Sequence, residues 1–201
     1  MPRVRAIVFD LDNTLVDRDT AFRAWAQDSL PTDEAARACE IDARGCREEL
    51  VHFLEGAHPD WTGLVDRRLS DWIAPYVPES KSVRRGLEKL ELPLALVSNG
   101  SATGQRQKLE RAGLDGLFES VVISGDSGVA KPDARAFTLA LDALQVAPED
   151  TLFVGDDYHR DIVGARRVGM HALWVNSAMT SCTQTVASVF AAVEELEDAK
   201  R

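Results

Sequence analysis

The chain has 201 residues, with 23 Lys and Arg against 33 Asp and Glu, which gives a formal charge of −10. At 45% hydrophobic and 28% charged residues it carries too much apolar material for a disordered segment, and it is long enough to bury a core without disulfide or metal staples. The acidic balance excludes a nucleic-acid polymer as the main partner, because polyanion binding is driven by clustered Lys and Arg. A small phosphorylated ligand needs only a local positive site and stays open.

The first element is a short apolar run at 6–9 that ends in Asp10. It is too short for a signal-peptide core or a membrane span, and no other segment approaches ~18 uninterrupted apolar residues, so no membrane association is expected. Helical patterns follow at 19–30, 33–56, 60–73 and 82–90, rich in Ala, Arg, Glu and Leu. A strand-free interval this long is no simple crossover, and it reads as a helical cap subdomain over 17–79 whose small core is filled by Trp25, Trp61 and Trp72. Cys39 and Cys46 fall on the single helix expected over 33–56, about 10 Å apart and out of disulfide reach. With Cys182 as the third cysteine and no C-x-x-C pair, a reducing, cytoplasmic location is expected.

Four more apolar runs come at 94–97, 121–123, 152–154 and 172–175. None alternates with polar residues, so each fits a strand of a parallel sheet buried on both faces. Helix-period segments separate them: Leu109 and Ala112 before Gly113; Phe137, Leu141 and Leu144 after Pro132 and Asp133; Ile162, Ala165 and Val168 before Gly169. Val186, Val189, Phe190 and Val193 form a last amphipathic helix. The alternation predicts an α/β fold, a doubly wound, mostly parallel sheet built from 1–16 and 80–201 and interrupted by the all-helical cap.

The polar clusters at the strand ends carry the chemistry. The first run leads into Asp10-Leu11-Asp12-Asn13-Thr14, the second into Ser98-Asn99-Gly100, the third into Ser124-Gly125-Asp126 and then Lys131-Pro132, and the fourth into Gly155-Asp156-Asp157 with Asp161 a turn later. In open parallel sheets ligands bind beyond the carboxyl ends of the strands, so these clusters converge on one crevice. Asp10, Asp12, Asp156, Asp157 and Asp161 would repel one another there unless a hard divalent cation intervened, and Mg²⁺ is the usual ion at phosphate sites. Lys131 and Ser98 supply a positive charge and a hydroxyl donor suited to phosphoryl oxygens.

These four motifs resemble those of the haloacid dehalogenase-like (HAD) hydrolase superfamily, over residues 4 to about 175 and with the cap after the first motif. The resemblance implies a Rossmann-like core and a Mg²⁺-dependent phosphatase acting on a small phosphomonoester, such as a sugar phosphate or nucleoside monophosphate. It makes Asp10 the nucleophile that becomes an aspartyl phosphate and Asp12 the general acid and base. It gives phosphate contacts to Ser98, to the backbone N–H of Asn99 and to Lys131, with Thr14 fixing the loop around the nucleophile. Asp10, the Asp12 carbonyl and Asp156 would ligate Mg²⁺, with Asp157 and Asp161 outside them. Arg18 and Arg23, early in the cap, are the candidates for substrate specificity, and the cap is expected to hinge near 16–18 and 78–82. Asp12 argues against dehalogenation, because a halide leaves without a proton. A sugar phosphomutase shares Asp12 and is the alternative enzyme, a non-catalytic phosphate- or partner-binding member the alternative class; monomer and homodimer both stay open.

Overall fold

The computed structural model describes residues 4–176 and 180–198. Five strands, β1 (Ala6–Phe9), β2 (Leu94–Ser98), β3 (Ser120–Ile123), β4 (Thr151–Gly155) and β5 (His171–Trp174), form one parallel sheet in the order β3-β2-β1-β4-β5. Phe9 pairs with Leu96 on one side and Val154 on the other, so β1, β2 and β4 end almost level. The chain winds outward from β1 in both directions, which opens the crevice of a doubly wound sheet at the carboxyl end of β1.

The helices follow from the apolar stripes between strands. They are α1 (Arg18–Ser29), α2 (Thr32–Ala43), α3 (Arg47–Ala57), α4 (Val65–Ile73), α5 (Lys81–Leu87), α6 (Ala102–Ala112), the single turn α7 (Ser124–Ser127), α8 (Ala134–Leu144), α9 (Gly164–Arg167) and α10 (Cys182–Asp198). Successive strand residues point to opposite faces. Ile7, Phe9, Leu96 and Val154 pack with Val83, Leu87, Leu109 and Val186 from α5, α6 and α10. Ala6, Val8, Val97 and Phe153 pack with Phe137, Leu141 and Ala165 from α8 and α9. No helix among the described residues is long and apolar enough to cross a membrane.

Between β1 and β2, helices α1 to α4 enclose a cluster of their own that includes Phe22, Trp25, Ile41, Leu50, Leu54 and Leu69. Trp25, Trp61 and Trp72 meet there, with ring centroids 5.0 Å apart for Trp61 and Trp72 and 6.1 Å for Trp25 and Trp72. The sequence patterns that merge 33–56 into one helix and 60–73 into another are each interrupted. Gly45, at φ +69°, ends the first helix and sends the chain into α3, while Gly63, at φ +71°, precedes α4, a left-handed conformation glycine adopts without strain. Cys39 and Cys46 therefore lie on either side of a turn rather than along one helix, and all three cysteines are free.

Helix α4 lies directly on α6. A Cβ added at Gly104 would stand 2.5 Å from the Ser70 carbonyl carbon and 2.7 Å from the Asp71 nitrogen, so the bare glycine lets the two backbones touch. That contact brings the helical layer over the carboxyl end of the sheet.

Candidate active site

Asp10 follows β1 immediately, and its N–H donates to Val154 O at 2.9 Å, which carries the strand ladder one residue further. The chain then coils on itself: Leu11 O accepts from the N–H groups of Leu15 (2.9 Å) and Val16 (3.1 Å), while the side chains of Leu11, Leu15 and Val16 are fully buried. Asn13 takes a left-handed φ of 59°, which Asn tolerates, and it exchanges hydrogen bonds with Asp19, its Nδ2 donating at 2.9 Å. This anchoring leaves Asp10 and Asp12 facing the crevice. Thr14 Oγ1 donates to Asp10 Oδ2 at 3.2 Å.

Lys131 reaches the same point from the loop after β3. Asn99 holds its backbone on both sides: Lys131 N–H donates to Asn99 Oδ1 at 2.8 Å, and Asn99 Nδ2 donates to Lys131 O at 3.0 Å. The ammonium, with only 2% of its side chain exposed, lies 2.5 Å from Asp10 Oδ1 and 2.7 Å from Asp161 Oδ1. Asp161 comes from the π-helical turn Tyr158–Val163, a wide turn of the kind that recurs at functional sites. Its approach depends on Gly155, where an added Cβ would stand 2.3 Å from Asp161 Oδ2. The N–H of Asp157 donates to that oxygen at 3.0 Å, and Trp174 Nε1 donates to Asp156 O at 2.8 Å, tying the Asp156 loop to the edge strand β5.

Asp10, Asp156 and Asp161 each present a carboxylate oxygen within 4.8 Å of the others. Burial pushes the Asp10 carboxyl up from 3.8 to about 7, and Asp161 and Asp12 reinforce the push that Lys131 opposes. Burial and the neighbouring Asp10 and Asp161 raise Asp156 further, to about 8. Burial opposes the charge on Lys131, but Asp10 and Asp161 outweigh it and hold its pKa above the usual range. An all-oxygen donor set with two carboxyls lifted in this way fits a hard divalent cation, which would take the place of the protons. Asp161, expected outside the ligand set, stands in this group with Asp10 and Asp156.

The two raised carboxyls give the metal-free protein a definite pH dependence. The folded chain binds more protons than the unfolded one between the usual 3.8 and about 8, so stability falls as pH rises through that window. In EDTA the Tm is expected to drop between about pH 5.5 and about pH 8.5, and a divalent cation to raise Tm more at the higher pH. Thermal melts at the two pH values, with and without MgCl₂, check this; a Mg²⁺ stabilisation larger at the acid end would overturn the assignment.

Asp12 faces the opposite wall. Lys108 Nζ, buried to 1% of its side chain, lies 2.8 Å from both Asp12 oxygens. Gln105 Nε2 donates to Asp12 Oδ2 at 3.0 Å, to Ser98 Oγ at 2.6 Å and to Asn99 O at 3.2 Å. Burial works against the Asp12 carboxylate, yet Lys108 and Gln105 together hold its pKa below the usual value. Neither α6 residue is singled out by the sequence motifs. A signal for them exists: Gly104, Gln105, Lys108, Leu109 and Ala112 form the buried stripe of α6, and a lysine and a glutamine at core positions of an amphipathic helix need polar partners.

A cavity of about 860 Å³ lies between the helical layer and the sheet, and Asp10, Asp12, Asn99, Lys131, Asp156 and Asp161 all line it. Thr14 and Ser98 are buried, outside the lining, in contact with Asp10 and Gln105 respectively. Asp157 lines the cavity but accepts from Arg160, N–H at 2.7 Å and Nε at 2.7 Å. Of the two arginines read as specificity candidates, Arg18 lines the cavity and is ion-paired with Asp42. Arg23 is exposed on α1, bonds to Thr20 at 2.8 Å and does not line it. Arg47 and Arg67, from α3 and α4, contribute instead.

The comparisons with known proteins agree with this geometry. The chain is 31% identical over 201 aligned residues to the glyceraldehyde 3-phosphate phosphatase of Pyrococcus furiosus, covering 87% of this chain and 81% of that one. It is 43% identical over 105 residues to the phosphoserine phosphatase of Thermus thermophilus, a match that spans 52% of this chain and 42% of that enzyme. Among solved structures, the Bacillus subtilis HAD-hydrolase YfnB, determined with bound magnesium, superposes with a TM-score of 0.73 at 22% identity, over 96% of this chain and 99% of that one. The family model of the haloacid dehalogenase-like hydrolases matches residues 4–169, the stretch that holds all four strand-end clusters, and the chain belongs to that family.

Proposed function

We propose that the protein is a Mg²⁺-dependent phosphatase that hydrolyses a small phosphomonoester through a phosphoaspartyl intermediate. The observation that carries this reading is the pairing of Asp10 and Asp12 across one cavity: a carboxylate fixed by Lys131 and Thr14, and two residues on, a second carboxylate held apart from it by Lys108. In this reading Asp12, ionised with its pKa below the usual value, takes up the proton of a monoanionic phosphomonoester; an Asp10 oxygen attacks phosphorus, the ester P–O bond breaks, and the departing alkoxide takes that proton from Asp12. Water then attacks the phosphoaspartate, giving its proton to Asp12, and inorganic phosphate leaves with Asp10 regenerated. Lys131 and the Asn99 N–H supply positive charge and a donor for the phosphoryl oxygens as charge shifts onto them, while Ser98, expected to bind them directly, is buried outside the cavity lining against Gln105. Asp10, Asp156, Asp161 and the Asp12 carbonyl would hold the Mg²⁺, which when bound offsets the negative charge of the phosphoryl group.

Asp12 favours a leaving group that needs a proton, hence an ester oxygen over a halide. The named relatives act on phosphorylated three-carbon compounds, and a cavity of about 860 Å³ accommodates metabolites of that size and somewhat larger. Helices α1 to α4, over 17–79, serve in this reading as a cap that shields the site from water. The three free thiols fit a reducing compartment such as the cytoplasm. The test is phosphate release from phosphoserine, glyceraldehyde 3-phosphate, glycerol 3-phosphate and p-nitrophenyl phosphate, with MgCl₂ and with EDTA. Release from at least one ester, abolished by EDTA, is expected; no release from any of them, with the fold intact by circular dichroism, sinks the reading.

A further inference from the structure

The role of Asp12 as acid and base raises a question of placement that the strand-end motifs leave unanswered. A carboxyl on a coil after β1 has free rotation about two side-chain bonds, and its neighbours offer competing cations: Arg18 acts on it through space, and Lys131 lies beside Asp10. Yet both oxygens of Asp12 are turned to α6. Lys108 meets them symmetrically at 2.8 Å, and Gln105 braces one of them while also bonding Ser98 and Asn99.

The placement of these partners is itself expensive. A lysine with 1% of its side chain exposed sits in the apolar stripe of a helix, and no carboxylate other than Asp12 pairs with it among the described residues. Gln105 is fully buried, its Oε1 has no hydrogen-bond partner among the described residues, and its single NH₂ group serves three acceptors. Reversing the amide would set an oxygen against the Asp12 carboxylate and the Asn99 carbonyl, so the orientation is forced by the acceptors around it. Burying an ammonium and leaving an amide oxygen unpaired destabilise a fold. Apolar residues at both positions would complete the stripe without that penalty, and stability alone therefore does not account for them.

We propose that Lys108, braced by Gln105, is a positioning residue for catalysis: it fixes the Asp12 carboxyl at the side of the cavity where the leaving oxygen departs, separate from the Lys131 pocket that holds the nucleophile. The inference rests on the phosphatase reading. Two lysines thereby divide the labour of two carboxylates two residues apart, one restraining the nucleophile and the other the acid.

The readout is the dependence on the leaving group, measured as kcat/KM, which reports the steps up to transfer of phosphorus to Asp10. 2,4-Dinitrophenolate leaves without protonation, whereas an alkoxide needs the proton. Lys108→Met is expected to lower kcat/KM for an alkyl ester such as glycerol 3-phosphate by roughly 10- to 100-fold and for 2,4-dinitrophenyl phosphate by less than about 5-fold, part of the ~10²–10⁴ available from a general acid. The ratio of the two values does not depend on how much of the variant is folded. Adding Lys108→Met to Asp12→Asn is expected to lower the alkyl ester little further, since the two act as one unit. Equal losses on both esters, or full additivity with Asp12→Asn, overturn the proposal and leave Lys108 a structural ion pair. Should Lys108→Met not fold, Gln105→Met is read by the same ratio with the same two outcomes. The alkyl ester is one of the panel above that the wild type hydrolyses; wild-type protein that releases phosphate from no ester of that panel instead overturns the phosphatase reading.

Discussion

Asp10→Asn is expected to abolish turnover, with kcat falling by at least about 10⁴-fold, while the protein stays folded. The amide keeps the shape of the carboxyl: its oxygen can still accept from Lys131 Nζ, 2.5 Å from Asp10 Oδ1, and its NH₂ can donate to Thr14 Oγ1, 3.2 Å from Asp10 Oδ2. What it lacks is a nucleophilic oxygen. Stability moves the other way from activity. The Asp10 carboxyl is pushed up to about 7 because its charge is buried among other carboxylates, so at pH 8 the neutral amide removes an unfavourable charge. Without metal, the Tm of Asp10→Asn at about pH 8 is therefore expected to equal or exceed that of the wild type, and the stabilisation by Mg²⁺ to shrink because a ligand oxygen is lost. Phosphate release and thermal melts on the same preparations check both halves. A variant that keeps a tenth of wild-type kcat would remove Asp10 from the nucleophile position.

The sheet and its strand ends were legible in the sequence because parallel strands buried on both faces leave continuous apolar runs, and polar residues can follow only where the run emerges at the crevice. Each observed strand lies within a residue or so of its run, and Asp10, Asn99, Lys131 and Asp156 come together at one cavity. The helical layer was legible in kind but not in its joints. Arg44-Gly45-Cys46 carries helix-compatible side chains on either side of the glycine, and only the left-handed φ of Gly45 turns α2 into α3. The Lys108–Asp12 pair is a tertiary fact of another sort: the partners lie 96 residues apart, and a lysine on an amphipathic helix is by default a solvated one. Arg67 was hidden for the same reason, since which face of α4 overhangs the cavity depends on the close approach of α4 to Gly104. Arg23 shows the converse: nearness in sequence to the nucleophile did not bring it to the cavity, because five residues beyond Arg18 is about 140° further round α1, and the side chain leaves from a different face of the helix.

Lys131→Met is the second change with a large expected effect, and it separates two duties of one ammonium. Removing it leaves the buried carboxylates Asp10 and Asp161, which it approached at 2.5 and 2.7 Å, facing each other with no intervening charge. Breaking a buried pair in this way destabilises proteins by about 3–5 kcal/mol, and here the loss has a pH signature. The carboxylates can escape their repulsion by taking up a proton, so the deficit relative to wild type is expected to be small at about pH 5.5 and large at about pH 8. In the wild type the ammonium contributes throughout that range, because its own pKa is raised above 10.5 and its charge is lost only at strongly alkaline pH. Mg²⁺ supplies positive charge to the same carboxylates and is expected to restore most of the lost Tm. It is not expected to restore the rate, since the phosphoryl oxygens would still lack the charge that Lys131 presents beside Asp10; a fall of about 10²–10³-fold in kcat should persist at saturating Mg²⁺. If added metal recovered activity along with stability, Lys131 would be a counter-ion for the acidic cluster and nothing more, and the phosphoryl-binding duty would pass to the backbone of the Asn99 loop.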